Sequence, residues 1–156
     1  MRTIASLLLV VCVNQFALAD DMKSSLPYDE SADARVDLAT AYAKAEKENK
    51  LVMVCFGANW CPDCRAFDKA IKEPALARSI AEQYVVVKVD VGNWDKNPQV
   101  IERFGNPIAG GIPSIVVTDS KESMIFATKG GQLASARSMD QAKFTRFFNE
   151  VAKLAK

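Results

Sequence analysis

The chain has 156 residues, 49% of them apolar and 25% charged, with 20 basic and 19 acidic side chains. That is the composition of one globular domain, not of a disordered or collagen-like chain. Histidine is absent, which excludes Ser-His-Asp and Cys-His nucleophiles, His-ligated zinc or copper and His-ligated haem, and leaves carboxylate, lysine or cysteine chemistry.

Arg2 precedes an apolar run from Ile4 to Val13, and Ala17-Leu18-Ala19 places small residues where a signal peptidase reads. This order predicts a cleaved secretory signal over residues 1–19, in which Cys12 is discarded. The run is shorter than the ~20 apolar residues a membrane span needs, and no later run is longer. Its removal takes Arg2 away and leaves basic and acidic residues balanced. A balanced chain gives no reason to expect nucleic acid or stable membrane insertion. A periplasmic or secreted protein is expected, in a compartment where disulfides persist.

Residues 20–32 read as a polar leader, and residues 33–156 as a single domain. Ser31 or Asp33 caps a helix to about Lys47, with Leu38, Ala41, Tyr42 and Ala45 on one face. Leu51–Phe56 is a continuous apolar run of strand length, as in a strand covered on both sides. After Cys61 a helix carries Phe67, Ala70 and Ile71 until Pro74 interrupts it, and Ala75–Gln83 continues as a second piece. Tyr84–Val91 is a second buried strand, with Lys88 set into it. Asn97-Pro98 starts a short helix that stops at Gly105. Ser114–Thr118 and Met124–Thr128 are strands joined by a turn. Ser138, with Gln141 three residues on, predicts a capping box before a last helix striped by Phe144, Phe147, Phe148, Val151 and Leu154. The order α-β-α-β-α-β-β-α predicts an α/β fold with a parallel strand pair followed by an antiparallel hairpin.

Cys61-Pro62-Asp63-Cys64 stands where the first strand gives way to a helix. Two cysteines at this spacing can close a disulfide. The first is placed near unpaired N–H groups and the positive end of the helix dipole, which favour a thiolate; the second lies deeper. Cys61 attacks a substrate disulfide, and Cys64 resolves the mixed disulfide. This requires Cys61 to keep a path to solvent. Pro62 suits the first helical turn. A C-x-x-C pair also occurs in metal and haem sites. Arg65 after Cys64 excludes haem attachment, and Cys55 is the one further thiol for a zinc site beyond the leader, so neither a metal nor a cofactor is expected.

With the strand Leu51–Phe56, Ala58-Asn59-Trp60-Cys61-Pro62-Asp63-Cys64, Lys88-Val89-Asp90 and Gly111-Ile112-Pro113-Ser114 in this order, the sequence resembles the thioredoxin family, in particular secreted or periplasmic thioredoxin-like proteins of bacteria. The resemblance runs from about Asp33 to the end. It implies a thioredoxin fold, a central mixed four-stranded sheet flanked by helices. It also implies a cis Pro113 against the cysteine pair, with the Ile112 backbone free to pair with an extended substrate. Trp60, Pro62, Asp63 and Ile112 are then candidate substrate-binding residues. Cys61, Cys64, Pro113, Asp68 and Lys88 are candidate catalytic ones.

One departure concerns the family's buried acid. Cys55 occupies that position, so the usual proton acceptor for the second thiol is missing. Lys88 holds the family's buried-lysine position. Asp68 falls on the same helix face as Cys64 and is the candidate acceptor, the alternative being a solvated helix pair with Arg65 or Lys72. Cys55 is expected to act as a small core residue. Asp63 opposes a thiolate, which favours the reducing direction. The expected protein is a monomeric thiol–disulfide oxidoreductase acting on disulfide-containing protein clients and fed by an upstream thiol donor. The alternatives are a non-catalytic binding module or chaperone, or a thiol-based metal carrier.

Overall fold

Leu51–Gly57 forms β1 at the centre of the sheet, buried from Val52 onward. This computed structural model describes residues 26–154. The signal segment and Cys12 lie outside the described residues. Alternation along β1 sends Val52, Val54 and Phe56 to one face, and Met53 and Cys55 to the other. Both faces are covered, which is why the run reads as continuously apolar.

Helix α1 (Ala34–Glu48) precedes β1; Asp33 caps it, accepting from the Arg35 N–H at 3.0 Å. Beyond β1 come α2 (Pro62–Ile71), α3 (Pro74–Gln83), β2 (Tyr84–Asp90), α4 (Pro98–Arg103), β3 (Ser114–Thr118), β4 (Met124–Ala127) and α5 (Gln141–Leu154). The strand order is β2-β1-β3-β4. β1 and β2 run parallel, whereas β1–β3 and β3–β4 are antiparallel. This is the expected mixed sheet. Leu38, Ala41, Tyr42, Val100, Ile101 and Phe104 close one face of it, and Phe67, Ile71, Leu76, Ile80, Phe144, Phe148 and Val151 close the other. Phe67 sits under Phe144 and Phe148, with ring centroids 6.2 and 6.3 Å apart.

Two local expectations are corrected. Ser138 does not cap α5, because a 3-10 turn over Ala136–Ser138 takes it up. Asp140 caps instead, its carboxylate accepting from the Lys143 N–H at 2.8 Å. Asn97 is the N-cap residue before Pro98, as expected, though its side chain caps nothing: it adopts φ 54 and donates back to the Asp90 carbonyl at 2.8 Å. Residues 26–32, read as part of a polar leader, lie against the domain. Tyr28 is 4% exposed, and its main chain is held on both sides by the Asn59 amide, at 3.0 and 2.9 Å.

Candidate active site

Helix α2 starts where β1 ends, so its first turn stands at the edge of the sheet. Cys61 is its N-cap residue, in extended conformation, and its sulfur accepts the Cys64 N–H at 3.2 Å. That is how a cysteine one residue before a helical proline uses an otherwise orphaned donor. Pro62 fills the first helical position and is exposed. Cys55, Cys61 and Cys64 are free thiols. Cys61 is 4% exposed and Cys64 0%, so Cys61 is the residue of the pair that keeps any surface. Its access is narrower than a freely exposed nucleophile would have.

Opposite the pair, the Ile112–Pro113 peptide bond is cis. The Cys61 thiol points at the Ile112 carbonyl, 3.7 Å away. Both Ile112 and Pro113 are buried. Gly111, at φ 107, allows the chain to enter this turn. Beside Cys61, Trp60 is 48% exposed and donates from Nε1 to the Gly92 carbonyl at 2.8 Å. Trp94, also exposed, meets it edge-on at 6.0 Å between centroids. The two indoles form the apolar rim next to the nucleophile.

Asp63 and Asp68 are both buried on α2. Asp63 accepts the main-chain N–H of Arg137 at 2.9 Å, with the guanidinium Nε at 3.7 Å. It ties the cysteine loop to the turn before α5. Asp68 takes Lys72 on one oxygen at 2.7 Å and Lys88 on the other. Lys88 reaches it because Lys88 is paired with Cys55 in the parallel ladder and so shares Cys55's face of the sheet. The expected helix partner of Asp68, Lys72, is therefore present, and Lys88 joins it. Arg65 instead donates to the Asn59 carbonyl at 2.7 Å.

Electrostatics separate the three thiols. Burial pushes Cys64 far above the ordinary thiol range; the hydrogen bond from Cys61 and the charge of Asp63 push the same way, against one backbone N–H bond. Burial pushes Cys55 up to about 12, with Lys88 opposing the shift and Asp68 adding to it. Cys55 is thus a protonated core residue at neutral pH. Tyr28, Asn59 and Arg137 are parts of the site that sequence reading did not single out. The available signal for Tyr28 was one aromatic within a polar stretch, since a tyrosine ring seldom stays wholly in water.

The family described as Thioredoxin-like matches residues 33–120. The chain belongs to the thioredoxin-like family. Thioredoxin-1 of Drosophila melanogaster is 30% identical over 109 residues, which cover 70% of this chain and 83% of that protein. A disulphide isomerase from Xylella fastidiosa Temecula1 superposes with a TM-score of 0.80 at 42% identity, covering 81% of this chain and 97% of that one. The C-terminal domain of Neisseria meningitidis DsbD in its oxidised form shares the fold alone, with a TM-score of 0.54 at 18% identity, covering 76% and 96% of the two chains. Family membership and the Cys61/Cys64 pair together make this thioredoxin-like protein a thiol–disulfide oxidoreductase. Among the described residues no cluster of three or more acidic or thiol side chains could hold a metal ion. No described helix is long and apolar enough to cross a membrane.

Proposed function

We propose that the protein reduces disulfides of protein clients outside the cytoplasm. The observation that carries the direction is the environment of Cys64: a buried thiol opposed by Asp63, whose thiolate is disfavoured. A dithiol that is poorly stabilised as thiolate gives its electrons up readily, whereas strong oxidants stabilise their reduced form.

Cys61, at the helix start, attacks one sulfur of a client disulfide through its thiolate form. The other client sulfur leaves as a thiolate and takes a proton. Cys64 then loses its proton and attacks the Cys61 sulfur of the mixed disulfide. The second client sulfur leaves, and two electrons have passed to the client as a Cys61–Cys64 disulfide forms. An upstream thiol donor returns the pair to the dithiol. Trp60 and the Ile112 backbone border the incoming chain, and Pro113 offers no N–H that would compete. Asp63 and Pro62 shape the loop between the sulfurs. Asp68, held by Lys88, accepts the Cys64 proton. The chain works as a monomer without a bound cofactor.

A second reading has support from the Xylella fastidiosa neighbour, which is a disulphide isomerase. Isomerisation begins with the same attack by Cys61 and ends when a client thiol, rather than Cys64, displaces it.

Reduction of a protein disulfide, with dithiothreitol as electron source, tests the proposal. Cys61→Ser loses turnover entirely, while Cys64→Ser halts at a mixed disulfide through Cys61. A Cys61→Ser variant as active as the parent overturns the reading in favour of a binding module. The extracytoplasmic expectation rests on the Arg2, Ile4–Val13 and Ala17–Ala19 pattern. It is tested by the N-terminus of the exported protein, which should be Asp20.

A further inference from the structure

The Cys64 thiol has to shed a proton inside the protein, and the group beside it comes from outside the cysteine helix. Gly57, the last residue of β1, marks the place. A Cβ there would lie 2.2 Å from the Tyr28 hydroxyl oxygen and 2.8 Å from the Cys64 sulfur. The hydroxyl and the thiol therefore face each other across the side chain that Gly57 lacks. Tyr28 is carried by a segment with no regular structure, yet it is not loosely placed. The Asn59 amide grips its main chain at both N–H and carbonyl, and the same amide donates to Glu30 at 2.9 Å. Asn59 stands just before Trp60 and Cys61, so the motif itself positions the tyrosine. Lys88 Nζ lies 5.8 Å from the centre of the Tyr28 ring and pairs with Asp68.

We propose that Tyr28 is a positioning residue for the resolving step, its buried hydroxyl donating a hydrogen bond to the Cys64 sulfur as that sulfur becomes a thiolate. The groups facing it are Cys64, Cys61 and Asp68 from the cysteine helix and its cap, Cys55 from β1 and Lys88 from β2. Burial, then the nearby thiols and Asp68, holds the phenol protonated well above its ordinary range. It is therefore a donor at neutral pH. This assigns to a tyrosine part of the task left open where Cys55 replaces the family's buried acid. No net transfer to Tyr28 is needed. The Cys64 proton leaves toward the Asp68–Lys88 pair, and the phenol keeps its own proton while stabilising the charge left on sulfur.

The inference rests on the thiol–disulfide reading, and one experiment separates the two. The reduced protein is mixed in stopped flow with dithiobis-nitrobenzoate, a chromogenic aryl disulfide. Attack by Cys61 releases one thionitrobenzoate, and resolution by Cys64 releases a second. Tyr28→Phe keeps the ring and removes only the hydroxyl. The expected result is a second phase slowed about tenfold or more at neutral pH, since hydrogen bonds to a charged group are worth roughly that much. Its pH profile moves to higher pH, and the first phase serves as internal reference. Unchanged phases at every pH, or an equal slowing of both with no change in pH profile, overturn the role of Tyr28. A parent protein that releases one thionitrobenzoate per molecule instead of two overturns the redox reading itself.

Discussion

Asp63 and Asp68 sit on the same helix, one just before Cys64 and one a turn beyond it, and both are buried. Their partners differ. Asp63 is fixed by a main-chain N–H, while the Arg137 guanidinium at 3.7 Å is mostly in water. Its charge is left to act on Cys64. Asp68 has an ammonium group on each oxygen, and its field acts on Cys55 and Tyr28. Two identical side chains thus do different things. Asp63 adds a small push to the burial that dominates the shift of the resolving sulfur, and Asp68, the proposed acceptor of its proton, joins α2 to β2 through a partly buried ion pair. What decides is the partner, not the depth.

The largest effect is expected where the ion pair is broken. Asp68→Asn leaves the half-buried Lys88 ammonium without its carboxylate and should cost about 1–3 kcal/mol, read from the urea midpoint. An unchanged midpoint would dissolve the contrast between the two aspartates. Asp63→Asn should be milder in stability, within about 1 kcal/mol, because the amide oxygen still accepts from Arg137. It should lower the pH at which Cys64 titrates, followed by thiolate absorbance. If that titration stays put, Asp63 is only a structural tie.

The last effect, absent at neutral pH, concerns alkaline stability. Cys55 is raised from the ordinary thiol value of 9.0 to about 12, so the folded chain keeps a proton that the unfolded chain releases. Stability from this source is complete below pH 9.0 and declines as pH rises toward about 12. Cys64 and Tyr28 are shifted in the same direction. Cys55→Ala should flatten the decline measured by denaturation at successive pH values. A parent stability that rises across this window contradicts the assignment.

The sheet was legible because β1, β2 and β3 carry apolar runs of strand length, and the cysteine loop because its spacing is local. The cis bond before Pro113 came from family resemblance, as no local pattern specifies it. Tyr28 was hidden because its burial depends on Asn59, a side chain 31 residues away that grips its main chain. Arg137 is likewise 74 residues from Asp63, and only folding brings them together. Ser138 was read as the cap of α5, but a 3-10 turn over Ala136–Ser138 takes it up and Asp140 caps the helix instead. For Tyr28 and Arg137, long-range contacts settled what short-range pattern left degenerate.

The direction of electron flow is the claim on which the functional account turns. Equilibration of the Cys61/Cys64 pair against glutathione buffers of graded ratio measures its reduction potential. The account predicts a value close to that of thioredoxin, about −270 mV. A value near about −120 mV, that of a strong oxidant, would contradict it.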